Sequence, residues 1–227
     1  MEAPPTLRQD QIMSWRGDGV VALRGVVSGE WLDLLRAGVD AALAAPSGVS
    51  KDYAEDGEGR FFTDHFMHRR FEEFSRFLYE SPAAMAAQLM GAHKVNLIDE
   101  HLLVKEPGTR IPTYWHHDFP YFEVAGEDFC SIWFPLDPAT ETTGAMKFVK
   151  GLHRWGKLFH PIRIGDGNLV DLAEVLDGPA PDIDAEPDKY DIALFEVEPG
   201  DAVAFHGKSL HSATPNSSKD IRRRALS

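Results

Sequence analysis

Tyr114 to Pro120 reads YWHHDFP, two adjacent imidazoles and a carboxylate inside an aromatic, proline-bounded run. Imidazole nitrogens and carboxylate oxygens are donors that suit a first-row divalent metal. In an extended run successive side chains alternate, so His116 and Asp118 share one face and His117 takes the other. Two ligands need a third, and FHGKSLH far downstream carries His206 and His211. Two histidines and one carboxylate on one side of an octahedron leave three positions open, the arrangement of non-haem Fe(II) oxygenases. An H-x-D pair is equally a hydrogen-bonded pair at a strand end. What separates the two readings is the agreement of three features: an H-x-D before a strand, His211 on a late strand 95 positions after His116, and Arg222-Arg223 shortly beyond it. A chelating 2-oxoacid cosubstrate leaves a distal carboxylate, which an arginine holds through two parallel hydrogen bonds.

The elements that must position these residues fall into two textures. Residues 1–93 read as a mostly helical flank: helices over 6–16, 28–44, 71–79 and 81–90, with a short strand over 19–23. In the second helix Leu34, Leu35, Val39 and Ala42 recur on one face. Ser81 suits an N-cap, with Pro82 at the first helical position. The polar stretch from 45 through Arg60 reads as an exposed loop. From 94 onward the pattern is short strands between turns: KVNLIDEHLLVK, FCSIWFPLD, AMKFV, IALFEVE, DAVAFHG and RRALS. Such punctuation implies an all-β sandwich or barrel. Residues 160–190, rich in Gly, Pro and Asp, form a long excursion with a short helix near 170–176, a candidate lid over a site at the barrel mouth.

Composition excludes several functions. With 227 residues, one domain is expected, a β core over 94–227 carrying its helical flank. A net charge of -13 repels a phosphate backbone, so nucleic acid is not an expected partner. No apolar run reaches membrane-spanning length, and MEAPPTLRQDQ lacks the features of a secretory signal. Cys130 is the one cysteine, which rules out an intramolecular disulfide and makes the cytoplasm the default location.

The segments VKEPGTRIPTYWHHDFPYF, ETTGAMKFVKGLHRWG and GDAVAFHGKSLHSATPNSSKDIRRRALS resemble the phytanoyl-CoA dioxygenase family of Fe(II)- and 2-oxoglutarate-dependent oxygenases. The resemblance covers 102–227 well and the helical third in outline. It implies a double-stranded β-helix, or jelly roll, flanked by helices, with iron held by His116, Asp118 and His211. It also implies Fe(II), 2-oxoglutarate and dioxygen as reactants, a small-molecule substrate, and hydroxylation of an unactivated C–H bond with release of succinate and carbon dioxide. Related halogenases lack the carboxylate ligand. Asp118 therefore directs the expectation to hydroxylation, or to desaturation or cyclisation.

For the cosubstrate, counting forward from His211 selects Arg222, and counting back from the Ala225-Leu226-Ser227 ending selects Arg223. Strand register is kept more readily than turn length, which favours Arg223. Ala213 stands where the family often has serine, so that hydrogen bond is absent or moves to Ser212 or Thr214. Trp133 and Lys105 match positions near the cosubstrate, and His117 stands where relatives carry an amide that contacts it. His117 packing behind the site is the alternative. His101 points to the same region or is a core residue, and His206 lies behind the site. His65 and His68 have helical spacing but belong to a surface or lid segment. The rival functions are a jelly-roll metal protein of another activity and a non-catalytic sensor or scaffold.

Overall fold

Helix α1 (Gln9–Asp18) stops at Gly19, which adopts φ 79° and leads directly into strand β1 (Val20–Leu23). A side chain at Gly19 would collide with His153 and Ser209, so the helix-to-strand corner requires glycine. Next come α2 (Gly29–Ala44), β2 (Lys51–Asp52), β3 (Phe61–His65), α3 (Glu72–Glu80) and α4 (Pro82–Met90). The second half is β4 (His101–Lys105), β5 (Thr113–His116), β6 (Cys130–Pro135), β7 (Met146–Val149), β8 (Ile192–Phe195), β9 (Ala202–His206), β10 (His211–Ala213) and β11 (Arg223–Leu226). This computed structural model describes residues 5–54, 58–170 and 176–227, and the counts below refer to them.

The strands make a seven-stranded sheet ordered β1-β9-β6-β11-β4-β3-β2 and a four-stranded sheet ordered β5-β10-β7-β8. Every ladder between these strands is antiparallel. Strand alternation divides the large sheet into two apolar faces. Phe62, Leu102, Val104, Phe134 and Leu226 face the helices, where they meet Leu35, Phe74, Phe77 and Met85. Trp133, Val203, Phe205 and Ala225 face the small sheet, where they meet Met146 and Phe148. The jelly-roll expectation holds, and the helices cover the outer face of one sheet.

Several local expectations require correction. The first third is not simply a helical flank, since β1 and β3 lie within the large sheet. β3 escaped recognition because Phe61, Phe62, Thr63 and Asp64 are all buried, which removes the alternation that marks a one-sided strand. The stretch before Arg60 is not wholly loop, because Lys51 and Asp52 pair with Thr63 and Phe62. Only the second half of KVNLIDEHLLVK joins a ladder; 94–100 runs outside the strands with Leu97 and Ile98 exposed. Ser81 occupies the cap position of α4 without a side-chain capping bond, and its backbone N–H closes α3 on Phe77 O. The first helix begins three residues later than expected, at Gln9. The helix expected near 170–176 lies mainly outside the described residues. The excursion itself is pinned by Phe159 and Ile183, which are buried against Val149, Leu152 and Leu210. No helix among the described residues is long and apolar enough to cross a membrane.

Candidate active site

β10 pairs with β5 so that His211 lies directly opposite His116, and their ring centroids are 4.2 Å apart. β5 ends at His116, and Asp118 takes α-helical angles (φ -73°, ψ -34°) at the start of a short 3-10 turn, Phe119–Tyr121. His116 and Asp118 are therefore brought together by a turn and not by strand alternation. The turn is held by Phe119 N–H donating to Gly207 O at 2.9 Å. Gly207 has no substitute there, because a side chain would run into the Phe129 ring.

One oxygen of Asp118, Oδ1, stands 3.6 Å from His116 Nε2 and 3.5 Å from His211 Nε2. One ligand atom from each of these three residues lies within 4.8 Å of the others, and no other such group occurs among the described residues. Each imidazole is oriented from behind. His116 Nδ1 contacts Tyr114 O at 2.7 Å and His211 Nδ1 contacts Ser209 O at 3.0 Å. A carbonyl only accepts, so both Nδ1 atoms carry the hydrogen and both Nε2 lone pairs converge beside the carboxylate. Burial, then His211, push the His116 pKa down to about 4, against the opposing pull of Asp118; burial also lowers that of His211. Two neutral imidazoles and a carboxylate form a donor set that a divalent metal fits.

Ser131 on β6 donates its hydroxyl to the second Asp118 oxygen, Oδ2, at 2.6 Å. A hydroxyl on a strand has no recognisable sequence signature, and Ser131 was not anticipated.

The barrel interior beyond the triad is cationic. Arg223 pairs with Lys105 across β11 and β4, and both side chains are fully buried. Arg223 donates to Leu103 O at 3.3 Å and lies 5.6 Å from the Trp133 ring centre, while its Nε has no partner. Gly144, at φ 104°, leaves the room that the guanidinium occupies. Lys105 Nζ donates to Thr214 O at 2.9 Å and lies 4.8 Å from the Phe61 ring centre. Neither cation forms an ion pair among the described residues. Burial, then the Arg223 charge, hold the Lys105 pKa well below its ordinary value, and burial lowers Arg223 to about 10. Two buried, uncompensated cations side by side are costly unless an anion joins them.

Arg222 is on the outside, ion-paired with Glu106 at 2.7 Å, and Arg224 faces Asp137 at 2.8 Å. His117 is turned away from the triad: its ring stacks on Phe159, and its Nε2 accepts the Phe159 N–H at 2.8 Å. It anchors the excursion. His206 bonds Glu127 O at 2.8 Å and accepts from Lys208 N–H at 3.0 Å, behind the site as expected. The Thr214 hydroxyl donates to Glu141 O at 2.7 Å, so it does not replace the absent serine at Ala213. His65 and His68 lie at the end of β3 and in the 3-10 turn Met67–Arg69, not on a helix. His65 and His101 stack at 4.0 Å.

A cavity of about 1130 Å³ opens from His116 and Asp118. Its walls include Met90, Leu97, Ile98, Phe122 and Phe129. The excursion reaches this rim through Tyr121, whose hydroxyl donates to Ile162 O at 2.6 Å and accepts from Ile162 N–H at 2.9 Å.

A sequence model of the phytanoyl-CoA dioxygenase (PhyH) family matches residues 15–225. The phytanoyl-CoA dioxygenase of Arabidopsis thaliana is 23% identical over 158 residues, which cover 70% of this chain and 52% of that protein. The chain thus spans about half the length of the curated relatives it matches. The crystal structure of the non-haem alpha-ketoglutarate-dependent carbocyclase SnoK from nogalamycin biosynthesis superposes with a TM-score of 0.76 at 23% identity, covering 99% of this chain and 85% of SnoK. EvdO2 from Micromonospora carbonacea var. aurantiaca, solved with 2-oxoglutarate, gives a TM-score of 0.70 at 22% identity over 100% of this chain and 91% of its own. With the family model spanning most of its length, the chain belongs to the phytanoyl-CoA dioxygenase (PhyH) family.

Proposed function

We propose that this protein is an Fe(II)- and 2-oxoglutarate-dependent dioxygenase that hydroxylates a C–H bond of a small organic molecule. The observation that carries the reading is the convergence of two backbone-oriented Nε2 atoms and Asp118 Oδ1 on one point beside the cavity. His116, Asp118 and His211 would hold the iron, which when bound supplies oxidative activation of a C–H bond with dioxygen and 2-oxoglutarate as co-reactants. Arg223 presents an unpartnered Nε for the distal carboxylate of the cosubstrate, with Lys105 adding charge and Trp133 flanking the guanidinium. Ser131 keeps Asp118 turned to the ligand position. Apolar walls line the cavity, and the Tyr121–Ile162 bonds tie the excursion to its rim, where a bound substrate would displace water from the reacting carbon. A metal-binding or scaffold protein of another kind would leave the Arg223–Lys105 pair without a function.

The test is anaerobic loading with Fe(II), followed by 2-oxoglutarate and air. Succinate is expected from the wild-type chain and not from His211→Ala. A wild-type chain that binds no iron refutes the reading.

A further inference from the structure

On β4 the side chains of Leu102 and Val104 enter the helix-facing core, so His101, Leu103 and Lys105 point into the barrel. Their partners on β3 are His65, Thr63 and Phe61. One inward row thus begins at the Lys105–Arg223 cation pair and ends, about 13 Å further on at ~3.3 Å per residue, at the His101–His65 pair. His65 and His101 border the same cavity as His116 and Asp118. The proposed cosubstrate site occupies the cationic end of the row, which leaves the imidazole pair to the substrate.

The pair is held in place by the surrounding chain. The rings stack with an interplanar angle of 14°, and His65 Nδ1 contacts Asp99 Oδ2 at 2.8 Å. Phe66, immediately after His65, is the one non-glycine residue with positive φ (57°) among the described residues. Left-handed backbone at a phenylalanine persists only when its surroundings enforce it. Glu100 does so: its carbonyl accepts the Phe66 N–H at 3.3 Å, and its carboxylate accepts the His68 N–H at 2.7 Å and contacts the His68 ring. With this support, His101 Nε2 is nevertheless buried without a hydrogen-bond partner. Unlike the buried unpartnered atoms of Trp15 and His153, this one belongs to a side chain that lines the cavity, so a ligand there can supply the missing partner.

We propose that His101, braced by His65 and Asp99, is a specificity-determining residue that hydrogen-bonds an uncharged oxygen, a hydroxyl or carbonyl, on an otherwise apolar substrate. The proposal rests on the oxygenase reading. Apolar walls select the carbon skeleton. Asp99 and Asp118 nearby disfavour an anionic group, and burial keeps the imidazole neutral, with one donor and one acceptor to offer. The anchor fixes which carbon of the skeleton faces the iron position.

The experiment compares the wild type, His101→Leu and His101→Gln, each loaded with Fe(II) and 2-oxoglutarate. The probes are cyclododecanol and cyclododecanone against cyclododecane, delivered from cyclodextrin, and the readout is succinate release above the probe-free rate. In the wild type the oxygenated probes are expected to stimulate about tenfold more than the hydrocarbon, the effect of roughly one buried hydrogen bond. In His101→Leu that ratio falls to about one, and His101→Gln restores part of it, a rescue that a purely structural role would not produce. A wild-type ratio near one, no stimulation by any probe, or a ratio unchanged in a folded His101→Leu overturns the anchor while leaving the oxygenase reading standing. Should His101→Leu fail to fold, the wild-type ratio and His101→Gln still decide. A wild-type chain that never forms succinate removes both.

Discussion

Ser131 Oγ on β6 stands 2.6 Å from Asp118 Oδ2, so a residue of the large sheet holds the carboxylate whose other oxygen faces His116 and His211. Without this bond Asp118 would be free to rotate about its side-chain torsions on a turn that no strand ladder holds. Removing an outer partner of this kind lowers metal affinity by about 10- to 100-fold. Ser131→Ala is expected to weaken Fe(II) binding by about that factor with little change in melting temperature. Anaerobic Fe(II) titration checks it; unchanged affinity would mean that the turn alone orients Asp118.

Arg222 and Arg223 are neighbours in sequence and opposite in surroundings, one on Glu106 at the surface and one buried over Trp133. Loss of a charge-assisted pair of hydrogen bonds costs about 3 kcal/mol, roughly a hundredfold. Arg223→Leu is expected to raise the KM for 2-oxoglutarate by about that factor, whereas Arg222→Ala, which breaks an exposed ion pair, changes it by less than about twofold. Steady-state succinate formation against 2-oxoglutarate concentration separates the two. Equal effects would refute the assignment of Arg223 to the cosubstrate.

These two residues also mark what the sequence made legible. β11 begins at Arg223 and leaves Arg222 outside the ladder, the register that counting back from Ala225-Leu226-Ser227 selects, while the turn before it is closed by Asn216 and Ser218. The His116, Asp118 and His211 set was legible only through the family resemblance, since H-x-D spacing alone fits a hydrogen-bonded pair equally well, and its geometry was not legible at all: Asp118 reaches the site through a turn that alternation does not describe. β3 was hidden because it is buried on both faces. His65 and His68 have a spacing that fits a helix as well as a strand end followed by a 3-10 turn. Asp99, Glu100 and Ser131 gain their roles only through partners distant in sequence.

Burial lowers the pKa values of His101, His116, His117 and His211. In the unfolded chain an imidazole takes its proton near pH 6.5, and the folded ones resist it, so below that pH the unfolded state binds more protons. Stability therefore falls as pH drops from 6.5 toward about 4, the value for His116, and is flat with respect to these groups above 6.5. Burial lowers His153 and His206 in the same direction, and Glu100, raised by burial, acts in the opposite direction as one group against six. His116 alone, shifted from 6.5 to about 4, is expected to cost about 2 kcal/mol between pH 7 and 5, which lowers the melting temperature by about 6 °C in a chain of this size, and the other lowered histidines add to it. Fe(II) should steepen the dependence, since protons compete for the same Nε2 lone pairs. Calorimetry from pH 5 to 8 checks the sign; a midpoint that rises on acidification would contradict it.

Lys105 faces Arg223 without an ion-pair partner, and burial followed by the Arg223 charge holds its pKa well below 10.5. A carboxylate arriving beside the pair favours the charged ammonium and raises that pKa again. Cosubstrate binding is therefore expected to take up protons in the pH range between the free and the bound values. Lys105→Met should abolish the uptake while retaining part of the affinity, since Arg223 remains. Isothermal titration of 2-oxoglutarate into the Fe(II)-loaded protein under anaerobic conditions, at a series of pH values below 10.5 in buffers of different ionisation enthalpy, measures it directly. A binding enthalpy independent of the buffer would mean that Lys105 is already charged in the free protein, and that Thr214 O and the Phe61 ring suffice to hold an ammonium beside a guanidinium.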